Sequence, residues 1–323
     1  MAPKDRPQVI AIEEHYLDPE VLEKTGGRAG GTPRARERLA DLGELRLKEM
    51  DEAGVDIQVL SHCPPGAQAF DAETAAAQAR GVNDRLHQTV TARPDRFAAF
   101  ATLPLKDPAG SAAELERCVD KLGFKGAMVH GLTDGLFIDD QRYWPIFERA
   151  EALDVPIYVH PGPPHPQVID IYYKDYAEKY PPILNAGLGF TLEMAAAGVR
   201  LVLSGVFDKH PRLKVILGHL GEGLPFLLWR IDSTFADASR GKFTPANFRD
   251  LFCEHFYVTT SGFFSDPALL CTMWEMGADR ILFAIDWPYV DNAPGTAWMD
   301  TVSLSREDRE KILNGNAKRL LKM

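Results

Sequence analysis

The sequence has no cluster of lysines and arginines: its 36 basic residues are dispersed among 46 acidic ones, for a formal net charge of −10. Binding a phosphate backbone requires a basic face, so the charge argues against nucleic acid as a partner. Cysteine is scarce as well. The four present, Cys63, Cys118, Cys253 and Cys271, stand far apart with no CxxC, which argues against a disulfide framework or a cysteine-based metal site and for reduced thiols. The N-terminus, MAPKDRPQVIAIEEH, lacks the apolar run of a signal peptide, and no later stretch reads as the ~20 apolar residues of a membrane span. A cytoplasmic location without a membrane partner is expected, and a small molecule is the expected ligand. Internal repeats, low-complexity tracts and linkers are missing too. The whole chain, 1–323, is therefore read as one domain, a length that barrels of alternating strands and helices commonly reach.

What the chain does have is enough apolar residue, 45%, to bury a large core. Short β-branched runs at 9–12, 57–61, 98–103, 126–129, 157–159, 214–217, 257–260 and 280–284 alternate with helical stretches at 36–53, 72–92, 111–121, 143–153, 221–234 and 266–276. Eight strands joined by helices predict an α/β fold with a parallel sheet, closed as a (β/α)8 barrel of the TIM type. An open, doubly wound sheet uses the same alternation, but no GxGxxG follows the first strand. The stretch 161–200, rich in proline and tyrosine, has no clear strand and predicts a lid-like insertion after the fifth strand.

Polar residues gather where the strands end: EEH after the first, SHC after the second, HPG after the fifth, GH after the sixth and DWP after the eighth. A barrel carries its active site at that face. Glu13 and His15 are two apart on one strand, so alternation points both to the same side and Glu14 to the other. With His160 and Asp286 they can deliver imidazole and carboxylate ligands to one divalent ion per subunit, Zn²⁺ or Mn²⁺. His219 and Glu222 have the i, i+3 spacing that lets a carboxylate fix an imidazole and raise its basicity. His62 and Cys63 read as a packed histidine and a buried thiol, with pocket lining or a second partner of the ligands as the alternative, and His165 as an exposed loop histidine, with substrate contact as the alternative. His87, His210 and His255 fall in segments read as surface and receive no role.

The blocks EEH, DDQRYWPIFERAEALDVPIYVHP, LSGVFDKHPRLKVILGHLGEGLPFLLWRID, SGFF, DRILFAIDWPY and NGNAKRLL make the chain resemble the metal-dependent amidohydrolase superfamily over nearly its whole length. Within it the chain is most similar to the non-oxidative aromatic acid decarboxylases, the γ-resorcylate and 2,3-dihydroxybenzoate types, for which GHLGEGLPF and DWPY are specific. The resemblance implies a carbon–carbon lyase of aromatic compound catabolism, acting on a hydroxybenzoate-type carboxylate. It implies Glu13, His15, His160 and Asp286 as ligands of zinc or manganese, a His219–Glu222 dyad facing the substrate, and Asp286 as proton donor as well as ligand. Arg230 matches the arginine of the family's WRID motif, associated with the substrate site. It lies eight residues beyond Glu222, ~12 Å along a continuous helix, which suits a homodimer or homotetramer with Arg230 near the interface.

Two blocks depart from the γ-resorcylate pattern. HPGPPHP stands where that type has arginine and asparagine after the HP, and His130 stands where it has asparagine, both beside the expected substrate. In the implied reaction a proton reaches the carboxyl-bearing ring carbon and CO₂ leaves, with Phe190, Phe263, Trp287 and Tyr289 keeping water away. Related branches keep a second reading open: a metal-dependent hydrolase or hydratase of a ring-cleavage product or lactone, with His219 as base.

Overall fold

The apolar runs form short parallel strands in two hydrogen-bonded sets. One holds β1 (Ile10–Tyr16), β2 (Ile57–His62) and β3 (Phe97–Ala99); the other holds β4 (Ala101–Thr102), β5 (Ala127–His130), β6 (Ile157–His160), β7 (Val215–Leu217), β8 (Phe256–Thr259) and β9 (Ile281–Leu282). The computed structural model describes residues 6–26, 31–239 and 248–323; residues 1–5, part of the polar N-terminus, lie outside them.

The third expected strand is thus cut at Phe100, yet it serves as one stave. The Phe100 amide donates to the Leu60 carbonyl at 2.9 Å, and the Ala101 amide to the Gly126 carbonyl at 2.8 Å, so hydrogen bonding passes from one neighbour to the other. At the opposite edge the Ile12 amide donates to Phe283 at 3.2 Å, His15 to Trp287 at 2.8 Å and Asp286 to Glu13 at 3.1 Å. These bonds join β9 to β1 and close eight staves into the expected (β/α)8 barrel.

Alternation divides the staves between two cores. Ile10, Ile12, Val59, Phe100, Met128 and Ile216 pack inside the barrel, while Ala11, Leu60, Val129, Ile157 and Leu217 face the helices. Helix Asn316–Leu321 adds Ala317, Leu320 and Leu321 to the inner cluster. It does so at the end where strands begin, since Asn314 bonds Gln8 and Lys125 bonds Lys322.

Capping residues explain several helix starts: Asp71 accepts from the Thr74 amide to open Ala72–Ala92, and Asp107 from Gly110 to open Pro108–Leu122. The helix expected at 36–53 is two, Pro33–Ala40 and Glu44–Ala53, because the Asp41 carboxylate takes the Gly43 and Arg46 amides at 2.9 and 3.1 Å and starts a new helix. The helix expected from 221 begins instead at Leu224, after a left-handed turn. Stretch 161–200 folds as short helical turns leading into Gly189–Leu203. By length and composition alone Pro181–Leu203, 23 residues containing an 18-residue window of mean hydropathy 1.4, could cross a membrane. It is not a continuous rod, however: a short turn, Pro181–Leu184, precedes the helix, which packs Met194, Ala197, Leu201 and Val202 into the core. His210 and His255, expected at the surface, are buried, and His255 stacks on Phe207 at 4.1 Å.

Candidate active site and metal centre

Strict alternation from Ile10 and Ile12 would turn Glu14 into the barrel. The β1–β2 register shifts between Ala11 and Glu14, and this irregularity resets the phase. Glu14 then faces outward, where its carboxylate accepts the Ile285 amide at 2.9 Å and the Trp287 amide at 3.3 Å. Glu13 and His15 are left at the mouth with His160 and Asp286, and one ligand atom from each of the four lies within 4.8 Å of the others.

Several of these atoms have no partner of their own. Glu13 Oε1, His15 Nε2 and Asp286 Oδ1 are buried without a hydrogen bond, although His15 Nε2 stands 3.2 Å from Asp286 Oδ1 and His160 Nε2 3.3 Å from Glu13 Oε1. Buried polar atoms are rarely orphaned unless something binds them. Their tautomers suit a cation: His160 Nδ1 lies 2.8 Å from the Pro161 carbonyl, which can only accept, so Nε2 is left with its lone pair. His15 Nδ1 pairs with Ser61 Oγ at 3.2 Å. Two imidazoles and two carboxylates fit one divalent ion.

The other oxygen of Glu13 is held by hydroxyls that the sequence reading missed. Oε2 accepts from Tyr158, Ser261 and, at 3.1 Å, Thr259. Thr259 Oγ1 also lies 2.9 Å from Tyr158 Oη and 2.6 Å from Ser261 Oγ. A side chain at Gly218 would crowd this cluster, its Cβ falling 3.3 Å from Glu13 Oε2 and 3.4 Å from Tyr158 Oη. The clamp leaves Oε1 alone to turn toward the ligand cluster. Tyr158→Phe is expected to weaken metal binding about 10- to 100-fold, as loss of outer partners does elsewhere, with the fold retained; metal-buffered titration of the variant reads it, and unchanged affinity would deny the clamp a role.

His219 and Glu222 meet through the left-handed turn. His219, Leu220 and Glu222 have φ of 50°, 52° and 56°, and Asp286 has 72°. Non-glycine residues rarely sit there, and such strain tends to collect at functional sites. The turn brings His219 Nδ1 to 2.7 Å from Glu222 Oε1, while His219 Nε2 faces Asp286 Oδ2 at 3.9 Å. Burial alone would depress the His219 imidazole, but Glu222, Glu13 and Asp286 outweigh it and hold its pKa well above the usual value. Burial pushes Glu13 up, whereas Asp286, also opposed by burial, is held down by His15 and His219.

Of the expected substrate contacts, Phe190, Phe263 and Tyr289 line the cleft over this centre. Trp287 does not. It is fully buried with Arg46 stacked on it at 3.9 Å, and its Nε1 donates to Glu49 at 2.7 Å. His130 stands behind His160, Nδ1 to Nδ1 3.3 Å, and lines neither part of the cleft. Arg230 is exposed on helix Leu224–Ser239 and likewise absent from the lining. All four cysteines are free. Arg46 was invisible as a site residue: buried and held at about 9 by burial, it donates to the His15 carbonyl at 2.5 Å and so anchors the ligand strand from behind.

His62 is a packed neighbour with both ring nitrogens engaged. Nδ1 donates to the Cys63 carbonyl at 2.7 Å and Nε2 accepts the Asp18 amide at 3.1 Å. Burial holds it at about 4, against an ordinary 6.5. Between those values the unfolded chain takes up a proton that the folded chain refuses. Its stabilising contribution is therefore complete above pH ~6.5 and falls by roughly 3 kcal/mol as the pH drops toward ~4. His62→Gln should remove that share of the acid-induced loss, measured by urea unfolding at several pH values; an identical loss in the variant would contradict it.

Comparison with known proteins places this geometry. A family model described as "Amidohydrolase" matches residues 14–323, and the chain belongs to the amidohydrolase family. It is 42% identical over 325 residues to the γ-resorcylate decarboxylase of Rhizobium sp. (strain MTP-10005), spanning 97% of this chain and 98% of that one. Among solved structures it resembles the dihydroxybenzoic acid decarboxylase of Polaromonas sp. JS666, crystallised with manganese and the inhibitor 2-nitroresorcinol. The TM-score is 0.88 at 41% identity, over 98% of this chain and 97% of that one. A 5-carboxyvanillate decarboxylase from Sphingomonas paucimobilis superposes with a TM-score of 0.91 at 34% identity, covering 98% and 100% of the two chains.

Proposed function

We propose that the chain, as one catalytic unit, is a metal-dependent non-oxidative decarboxylase of a hydroxybenzoate-type carboxylic acid, protonating the ring carbon that bears the carboxyl group and releasing CO₂. The observation that carries this reading is the division of labour within Asp286. Its Oδ1 faces His15 among the ligand atoms, and its Oδ2 faces the imidazole of His219. One carboxylate can thereby belong to the metal centre and still exchange a proton.

Glu13, His15, His160 and Asp286 would hold the cation, for which zinc and manganese are the candidates; the manganese in the Polaromonas relative makes that ion the first to test. When bound, the cation supplies positive charge that orients an ortho-hydroxybenzoate and steadies the negative charge developing on it. Glu222 fixes the His219 ring and favours its protonated form. His219 carries a proton toward Asp286 Oδ2, and Asp286 passes it to the ring carbon, so the pair of electrons that bonded the carboxyl group is taken up as CO₂ departs and the ring regains aromaticity. Phe190, Phe263 and Tyr289 shield that carbon from water. Residues Asn185, Ala186 and Leu188, which end the segment after β6, also border the cleft and support its part as a lid.

The same reading includes a cytoplasmic homodimer or homotetramer in the catabolism of aromatic compounds. Phe226 and Trp229 are 80% and 71% exposed beside Arg230, and apolar surface of that kind favours association. A direct test incubates the manganese-loaded enzyme with 2,6-dihydroxybenzoate and measures CO₂ and resorcinol, which should appear in equal amounts.

A further inference from the structure

Asp286 serves two neighbours with one carboxylate, and its backbone stands in the left-handed region with φ of 72°. A non-glycine residue keeps such an angle only where its surroundings fix it. Three consecutive amides do the fixing, and β1 takes all three. The Ile285 amide donates to Glu14 Oε1 at 2.9 Å, the Asp286 amide to the Glu13 carbonyl at 3.1 Å and the Trp287 amide to Glu14 Oε2 at 3.3 Å. Glu14 thus grips the peptide on both sides of Asp286. On the far side of the turn the Asp286 carbonyl accepts the Tyr289 and Val290 amides at 3.0 and 3.1 Å.

Glu14 is itself tied down from behind. It is fully buried, as are Gln58 and Arg46. Gln58 Nε2 donates to Glu14 Oε2 at 3.3 Å, and Arg46 Nη1 donates to Gln58 Oε1 at 3.1 Å. The same guanidinium donates to the His15 carbonyl and stacks on Trp287. Taking a carboxylate out of water is costly unless N–H groups satisfy it, and three converge on this one. The chain keeps it there although it offers no atom to the ligand cluster and lines no part of the cleft. What it holds is the turn at Asp286.

We propose that Glu14 is a positioning residue for proton transfer: by holding the Ile285 and Trp287 amides it sets the Asp286 carboxylate so that Oδ1 joins the ligand atoms while Oδ2 faces His219 Nε2. The gap between Oδ2 and Nε2 is already 3.9 Å. Groups that exchange a proton directly must come within about 3.2 Å, so a carboxylate turned further from His219 loses the exchange. The proposal rests on the decarboxylase reading for the proton that Asp286 carries, and not for the geometry that Glu14 imposes.

The test is Glu14→Gln, which keeps the size and one acceptor but turns an NH₂ toward N–H groups that the carboxylate accepted. With 2,6-dihydroxybenzoate at saturating Mn²⁺, kcat should fall about 30- to 100-fold while KM stays within about threefold, because a misaimed Asp286 slows the proton and not the capture of the ring. Gln58→Met removes one donor to Oε2 and leaves both backbone amides in place. It should show the same split with a smaller fall in kcat, about fivefold, and it decides the matter if Glu14→Gln does not fold. Unchanged kcat, or a fall matched by a proportionate rise in KM, overturns the proposal and leaves the decarboxylase reading intact. If the unsubstituted enzyme itself releases no CO₂, the decarboxylase reading fails, and Mn²⁺ affinity decides the positioning by itself. Misalignment of the Asp286 ligand in Glu14→Gln should weaken that affinity about tenfold in a metal-buffered titration, and equal affinity overturns it.

Discussion

Replacing His219 by Asn is expected to lower kcat by about 10²–10⁴-fold while the protein keeps one metal ion per chain. The reason lies in what the imidazole touches. Its Nδ1 is taken by Glu222 at 2.7 Å, and its Nε2 looks toward Asp286 Oδ2 at 3.9 Å, outside the cluster of four ligand atoms. Asparagine removes a proton carrier and no ligand. Turnover and elemental analysis on the same preparation separate the two roles. Glu222→Gln should follow with a smaller loss, since the imidazole remains but gives up the carboxylate that favours its charged form. Full activity in the asparagine variant would eliminate the relay; loss of activity together with loss of metal would make His219 a ligand.

Removing the ion with a chelator, or truncating His160 to Ala, is expected to lower activity by about 10³-fold or more, with recovery on adding Mn²⁺ to the chelated protein and not to the variant. Without a cation the cluster keeps two carboxylates, Glu13 and Asp286, buried side by side, and Glu13 answers by drifting upward in pKa through burial. Metal binding should therefore weaken, with release of a proton, as the pH is lowered. It should also stabilise the fold, by about 4 kcal/mol at a free concentration 1,000 times Kd. Calorimetry in two buffers of different ionisation enthalpy reads the proton, and thermal unfolding with and without Mn²⁺ reads the stability. Equal activity in chelated and replete enzyme would contradict the metal centre.

The barrel was legible because short apolar, β-branched runs and helical stretches alternate along the chain, and because EEH, HPG and DWP fall at strand ends. The orientation of Glu13 and His15 came out as alternation demands, although the chain reaches it through a register shift after Ala11 that no residue pattern announced. Trp287 looked like a cleft aromatic because it follows Asp286. The turn that aims the Asp286 carboxylate at the metal cluster sends the next side chain behind it, onto Arg46. The helix expected at Gly221 failed for a similar reason: His219, Leu220 and Glu222 adopt left-handed angles that only glycine signals in a sequence. Tyr158, Thr259 and Ser261 converge on one oxygen of Glu13 from β6 and from the end of β8, a meeting visible only once the barrel closes. Arg230 was placed by motif alone; it is exposed and is not among the residues that line the cleft.

The most direct measurement follows a metal-replete sample turning over an ortho-hydroxybenzoate in ¹⁸O- and ²H-labelled water. Stoichiometric CO₂, with one deuterium at the carbon that lost its carboxyl group and no solvent oxygen in the ring product, is the expected result. A ring-opened product carrying ¹⁸O with no CO₂ evolved would contradict it and make the chain a hydrolase.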